Sequence, residues 1–140
     1  MNKDHKEYFK PLWRWSHALQ NDFAARADWC VKSYIEANHP PLVVLGHPAD
    51  LNAKPGDTVK LRANRTTDPD NDKLSYRWHQ YQEADTYGGI IEIRNAEQQE
   101  AMFTVPSDAA KGKTIHIICE VIDDGVPALT RYQRVVVTIE

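Results

Sequence analysis

The sequence predicts a mainly β fold, in which two sheets of short strands pack together behind one N-terminal helix. Before residue 38 the apolar residues recur every three or four positions, which is typical of a helix. After Pro40-Pro41 they alternate with polar residues, which is typical of strands, and turn signals divide them into about seven segments. A chain of 140 residues therefore favours one β-sandwich at 39–140 behind a helical segment at 1–38.

The helix is predicted to begin at Ser16, a residue type that often caps helices, and to end near Asn38, before His39-Pro40-Pro41. Its apolar positions form one stripe of five residues: Leu19, Phe23, Ala27, Cys30 and Tyr34. Further large aromatic side chains widen this surface: Trp13, Trp15 and Trp29. So much apolar area must be buried, either against the sandwich or against a partner outside this chain.

About seven strands are predicted, each marked by its inward-pointing or apolar residues: Leu42–Gly46; Val59, Leu61 and Ala63; Leu74, Tyr76 and Trp78; Ile91 and Ile93; Ala101, Phe103 and Val105; Ile115, Ile117, Cys119 and Val121; Val135, Val137 and Ile139. Trp78 stands in the third strand, where immunoglobulin-type sandwiches place their buried tryptophan. No cysteine near Leu61 could pair with Cys119 across the sandwich. We therefore expect an immunoglobulin-like sandwich, close to the cadherin and PKD types and held by core packing.

Composition and charge make several functions poor candidates. The net charge is -3 and no dense basic run exists, so nucleic acid is not an expected partner. No stretch approaches the roughly 20 apolar residues of a membrane span, and Met1–Glu7 is not followed by the apolar segment of a signal peptide. Cys30 and Cys119 match no zinc or redox spacing. We interpret them as two buried free thiols, with a disulfide between them as the alternative.

The densest polar cluster is acidic and comes from two predicted loops. Its members are the candidate Ca²⁺ ligands Asp68, Asp70, Asp72 and Asp123. Alternating carboxylates can direct several hard oxygen ligands to one point, as Ca²⁺ requires. The EF-hand pattern fails, because Lys73 and His79 stand where that loop needs Gly and Glu. Ordinary turn formation by Asp, Asn and Pro is the alternative.

Sugar binding requires exposed aromatic rings flanked by hydrogen-bonding groups. The candidate carbohydrate-binding residues are His79, Tyr81, Tyr87 and Tyr132. Strand alternation places His79 and Tyr81 opposite Trp78, Tyr87 lies in a Gly-rich turn, and Tyr132 begins the last strand. The alternative for each is a half-buried packing role.

No catalytic pattern stands out. The six histidines form no His-Glu-x-x-His pair, and no Gly-x-Ser-x-Gly elbow or phosphate-binding glycine loop occurs. We expect this chain not to be an enzyme in its own right.

Several segments resemble the C-terminal part of secreted bacterial proteins described as cellulose-binding, whose larger N-terminal part is nucleoside-hydrolase-like. The segments that carry the resemblance in the helical part are Trp13-Arg14-Trp15, the run from Gln20 to Arg26, Asp28-Trp29-Cys30 and the run from Ala37 to Pro41. Those in the sandwich are Pro55-Gly56-Asp57, Asp68-Pro69-Asp70, Tyr76-Arg77-Trp78 and the run from Asp123 to Tyr132. The similarity covers nearly the whole chain.

The resemblance implies that the chain is a C-terminal fragment with a secreted or periplasmic location. The helix would be the tail of an upstream nucleoside-hydrolase-like domain, which would carry any hydrolysis of N-glycosyl or glycosidic bonds. Two functions stay open. One is a non-catalytic accessory module that binds a cellulose-type polysaccharide, and the other is a structural module that stabilises the upstream domain.

Overall fold

The computed structural model describes residues 13–140, which form one helix, six strands and two short 3₁₀ helices. Helix α1 spans Ser16–Trp29, and the 3₁₀ turns span Tyr34–Glu36 and Gln82–Ala84. The strands are β1 Asp50–Ala53, β2 Thr58–Arg62, β3 Ser75–Gln80, β4 Glu100–Thr104, β5 Thr114–Ile122 and β6 Thr130–Ile139. The prediction about the N-terminal run Met1–Glu7 lies outside these residues. No helix between residues 13 and 140 has both the length and the apolar character needed to cross a bilayer.

The strands form two sheets that face each other across one core. The larger sheet has the order β1-β6-β5-β3, in which β1 runs parallel to β6 and the other pairs are antiparallel. The smaller sheet pairs β2 with β4 in antiparallel register. This arrangement confirms the predicted immunoglobulin-like sandwich behind a helix, whereas the predicted number of seven strands is wrong.

Alternating residues of both sheets build the core. Trp78 is buried, and its indole Nε1 donates a hydrogen bond to the carbonyl of Gln98. The predicted inward positions of four strands are also buried: Val59, Leu61, Ala101, Phe103, Ile115, Ile117, Cys119, Val121, Val135, Val137 and Ile139. Since each of these strands has one face toward the other sheet, their period-two pattern fixes which side chains meet.

Two predicted strands are not strands. In Leu42–Gly46, only Leu42 forms an isolated bridge, with Thr67, while the amide of Val44 donates to the Thr66 hydroxyl. Around Ile91 and Ile93, the Ile91 amide donates to the side chain of Gln80. In both places side-chain acceptors take the hydrogen bonds that a neighbouring strand would otherwise make.

The first strand of the structure, β1, lies instead at Asp50–Ala53. It leads into a turn in which the Asp57 amide donates to the Lys54 carbonyl, and Gly56 adopts a φ of 89° that favours glycine. Sequence patterning missed β1 because a four-residue strand at a sheet edge shows too little alternation to be distinguished from a loop.

Helix α1 is shorter than predicted. Ser16 is its first residue and not its cap, and the helix ends at Trp29. Ser33 then adopts an extended conformation, and its side chain and that of Glu36 form a capping box that starts the 3₁₀ turn. This local network competes with the helix and ends it before the prolines could.

The predicted apolar stripe of the helix does not face the sandwich. Leu19 is 55% exposed, Phe23 76% and Tyr34 69%. Ala25, on the other side of α1, is 1% exposed and marks the face that is covered. On that face Asn21 donates to the carbonyl of Ala128, and Asp22 pairs with Arg131 at 3.0 Å.

Both cysteines are free thiols, as interpreted, but only Cys119 is buried, whereas Cys30 is exposed at the end of α1. Burial raises the pKa of Cys119 to about 12, and the neighbouring Glu120 carboxylate acts in the same direction.

Candidate functional site

The outer surface of the larger sheet, which points away from the core, carries a row of polar residues across three strands. Arg77 on β3 stands opposite Glu120 on β5, and Glu120 stands opposite Tyr132 on β6. Arg77 and Glu120 are next to the buried residues Trp78 and Cys119 along their strands, so their side chains point to the opposite face of the sheet, away from the core. Tyr132 lies on the same outer face. Alternation along neighbouring strands in register therefore collects these side chains on one face.

The start of α1 packs an aromatic side chain onto this face. The ring of Trp15 lies 5.9 Å from Tyr81 at an interplanar angle of 57° and 6.1 Å from Tyr132 at 71°. The guanidinium of Arg14 lies 5.8 Å from the ring centres of both Trp15 and Tyr81. It also pairs with Glu83 at 2.8 Å. We call Arg14, Trp15, Tyr81 and Tyr132 the Trp15 cluster.

A cleft of about 370 Å³ opens beside the Trp15 cluster, between α1 and the sheet. Its residues come from the helix, from the end of β3 and from the facing parts of β5 and β6: Arg14, His17, Ala18, Arg77, His79, Gln80, Glu120, Ile122, Thr130 and Tyr132. The volume falls within the roughly 300–1,000 Å³ range of small-molecule sites. We call it the outer-face cleft.

His79 is the most unusual polar group of the cleft. Both of its ring nitrogens are buried without a hydrogen-bond partner among the described residues. Its Nδ1 lies 3.9 Å from Oε1 of Glu120, too far for a good hydrogen bond. Burial lowers the pKa of His79 below its ordinary value of 6.5, although the Glu120 carboxylate opposes that effect. Near neutral pH the imidazole is therefore uncharged, with one donor and one acceptor available.

Tyr132 contributes a partly exposed ring to the same cleft, with 39% of its surface accessible. Burial raises the pKa of Tyr132 to about 12, and the charge of Glu120 adds to this effect. The hydroxyl is consequently always protonated in the physiological range, so it can both donate and accept a hydrogen bond.

Three of the four candidate carbohydrate-binding residues thus lie together, and the fourth does not. His79 and Tyr132 line the cleft, and Tyr81 adjoins it through Trp15. Tyr87 packs against the hydrophobic core, and its hydroxyl donates to Asp108 at 2.9 Å. The side chain of His79 is only 22% exposed and both of its ring nitrogens are buried, so this outward-facing position of β3 is partly covered.

The sequence did not single out Trp15, Arg77 or Glu120 as site residues. Arg77 and Glu120 could have been identified from strand parity, given the register between β3 and β5. Trp15 could not, because only the packing of α1 on the sheet brings it there.

The acidic loops divide into two groups with different roles. Ligand atoms of Asp68, Asp70 and Asp72 lie within 4.8 Å of one another, close enough to share a cation. Burial raises the pKa of Asp72, and the carboxylates of Asp68, Asp123, Asp124 and Asp70 raise it further. One Asp68 oxygen accepts from the amides of Asp70 and Asp72, as in an ordinary turn. A Ca²⁺ site at these three residues stays a prediction.

Asp123, the fourth predicted ligand, is committed to structural hydrogen bonds. It is 4% exposed, and its Oδ1 accepts from the amides of Gly125 at 3.1 Å and Leu129 at 2.8 Å. Its carboxylate also accepts from the side-chain amide of Asn38 at 3.0 Å, and the same amide donates to the Pro127 carbonyl. Asp123 therefore shapes the turn between β5 and β6 and ties the helix-to-sandwich junction to it.

Fold and site together define a sandwich domain whose helix covers part of one sheet and leaves a polar, aromatic-lined cleft beside it. Residues 58–139 match the sequence family described as "Cellulose-binding protein Sde0182, C-terminal domain". The match extends over more than half of the chain, and the chain belongs to this family. The resemblance recognised in the sequence is thereby confirmed.

A solved structure of a nucleoside hydrolase-related hypothetical protein from Saccharophagus degradans, associated with carbohydrate metabolism, is similar to nearly the whole chain. The sequences are 43% identical and the TM-score is 0.86; the match covers 91% of this chain and 32% of that one. This chain thus spans about a third of that protein's length.

The PKD domain of the KIAA 1837 protein matches with a TM-score of 0.47 at 22% identity, covering 70% of this chain and 86% of that one. Cadherin domains of protocadherin gamma B2 match with a TM-score of 0.43 at 19% identity, covering 72% of this chain and 25% of that one. No curated protein matches the chain.

Proposed function

We propose that this chain is a non-catalytic accessory module that binds carbohydrate for a longer, secreted or periplasmic glycan-active protein. The observation that carries the proposal is the outer-face cleft with its half-exposed Tyr132 and uncharged His79, in a family named for cellulose binding. Aromatic rings bind the apolar faces of sugars, and neighbouring polar groups orient the hydroxyls.

Affinity electrophoresis of the chain in gels that contain soluble β-glucans tests this function. Retardation of the wild type, with loss of retardation in Tyr132→Ala, is the expected result. Tyr34→Ala is the matched control, because Tyr34 is an exposed aromatic residue that stacks on His39, outside the cleft. Unretarded migration of the wild type in every polysaccharide would contradict the proposal.

A second function is favoured by the outward surface of the helical segment. Six large apolar residues of this segment are more than half exposed: Trp13, Leu19, Phe23, Val31, Tyr34 and Ile35. We propose that this surface packs on an upstream domain of the same protein. The similar protein from Saccharophagus degradans, about three times as long and nucleoside hydrolase-related, supports this proposal. Any hydrolysis of N-glycosyl or glycosidic bonds would then belong to that upstream domain.

The packing role is tested in the longer protein by thermal unfolding. Phe23→Ser and Ile35→Ser should lower the melting temperature there but leave that of the 140-residue chain unchanged. Val126→Ser, at a site of 85% exposure on the sandwich, is the matched control and should change neither. Equal melting temperatures for all variants of the longer protein would rule out a docked helix surface.

A further inference from the structure

The aromatic residues of the Trp15 cluster do not form a flat binding platform. A flat crystalline polysaccharide face requires several exposed rings that lie in one plane, because each ring stacks on a sugar of the same surface. Here Trp15 is tilted by 57° from Tyr81 and by 71° from Tyr132, and it packs against both rings. Only Tyr132 exposes more than a third of its surface.

The outer-face cleft instead offers buried polar groups that lack partners. His79 has two such ring nitrogens. Glu120 faces this imidazole, with Oε1 3.9 Å from Nδ1, and its side chain is only 13% exposed. Buried polar groups without partners are costly, and a ligand that supplies them with hydrogen bonds recovers that free energy.

The charges of the cleft indicate the kind of sugar. Glu120 stands at the centre of the floor, in register with Arg77 on one side and Tyr132 on the other. A carboxylate can accept hydrogen bonds from two neighbouring hydroxyls at once. The two guanidiniums of the cleft each stand next to a carboxylate, Arg77 opposite Glu120 and Arg14 paired with Glu83, so an anionic sugar meets no surplus positive charge there. The uncharged imidazole of His79 beside it can donate to or accept from a third hydroxyl.

From this geometry we infer that the outer-face cleft takes one neutral sugar ring of a soluble polysaccharide chain, with adjacent hydroxyls on Glu120, and not the face of crystalline cellulose. The inference rests on the proposed carbohydrate-binding function and specifies its ligand class and its central residue. Tyr132 supplies the apolar contact, and His79 and Glu120 supply the polar ones.

Calorimetric titration of the 140-residue chain with soluble cello-oligosaccharides, beside depletion on microcrystalline cellulose, tests the inference. Binding of the soluble ligand should weaken roughly tenfold or more in Glu120→Gln, as expected when a hydrogen bond to a charged group is lost. Glu92→Gln, at an exposed glutamate outside the cleft, should bind like the wild type. His79→Leu, which removes both ring nitrogens, should show the same loss and serves if Glu120→Gln does not fold.

The outcomes separate the inference from the function on which it rests. Retention on crystalline cellulose that Glu120→Gln and His79→Leu leave unchanged would overturn the inference and keep the carbohydrate-binding function. Tighter binding of oligouronates than of neutral oligosaccharides would also overturn it. If the wild type binds none of these glycans, both the inference about the cleft and the proposed carbohydrate-binding function are wrong.

Discussion

The sandwich and the helical segment are built on opposite principles. In the sandwich, the apolar positions point inward and the core residues Leu61, Ile115 and Val137 have no exposed surface. In the helical segment, the most apolar stripe points outward, while the covered side uses Ala25 and a few polar contacts such as Asp22 with Arg131. The sandwich is thus stabilised by its own burial. The helix is attached to it by a small seam and keeps its larger apolar surface free.

Two phenylalanines give the largest expected difference between the regions. Phe103 is 1% exposed in the core and Phe23 is 76% exposed on α1. We expect Phe103→Ala to lower the free energy of unfolding by about 3–5 kcal/mol, because it leaves a cavity. Phe23→Ala should change it by less than about 0.5 kcal/mol. Urea denaturation followed by tryptophan fluorescence measures both, and similar losses in the two variants would contradict the comparison.

Asp123 links the two regions, so its loss should affect both. Asp123→Ala removes the acceptor of the Leu129 amide, which is then buried without a partner, and leaves the Asn38 side-chain amide with only the Pro127 carbonyl. We expect a loss of about 2–3 kcal/mol in the free energy of unfolding. The neighbouring Asp124→Ala, which removes only one bond from the Lys73 amide, should cost less than about 1 kcal/mol. An equal cost for both would refute the linking role of Asp123.

His79 reports whether the helix covers the sheet. Burial, supported by Arg77 and Arg14 and opposed by Glu120, lowers the pKa of His79 below 6.5 in the folded chain. Between the two pKa values the unfolded chain binds more protons. Stability is therefore lost as the pH falls below about 6.5. Guanidinium denaturation at pH 7.5 and 5.5 should show this loss, and His79→Gln should reduce it. If the wild type and His79→Gln lose the same stability between these two pH values, the imidazole is exposed and the helix does not cover it.

The smallest effect is expected at the acidic loop. Burial and the neighbouring carboxylates raise the pKa of Asp72, so its charge destabilises the fold above the ordinary value of 3.8, and protonation relieves this at lower pH. Asp72→Asn should therefore stabilise the chain at neutral pH, by no more than a few tenths of a kcal/mol, since solvent screens these charges. If Asp68, Asp70 and Asp72 hold a Ca²⁺ ion, the wild type should become more stable than Asp72→Asn when Ca²⁺ is present. Melting temperatures of the two proteins with and without Ca²⁺ measure this difference.

Strand alternation and turn residues were sufficient to predict the core of the sandwich. Burial of every second residue of a strand requires an apolar residue at each such position, as at Val59 and Ile117. These patterns failed at Leu42–Gly46, an apolar run in which the amide of Val44 donates to the Thr66 hydroxyl instead of to the backbone of a neighbouring strand. The cleft was only half predicted. Strand parity identified His79, and the start of the last strand identified Tyr132. The position of Trp15 depends on how the helix packs, which is a long-range property of the fold.

The unequal environments of the two thiols have a practical consequence. Cys119 is sealed in the core with its pKa raised to about 12, so it stays protonated and unreactive, whereas Cys30 is open to reagents at the end of α1. A maleimide dye or photo-crosslinker will therefore attach at a single position without any engineered substitution. That position lies beside the outward apolar surface of the helical segment. In the longer protein proposed above, shielding of a dye on Cys30 or crosslinking from it would report directly on what lies against the helical segment.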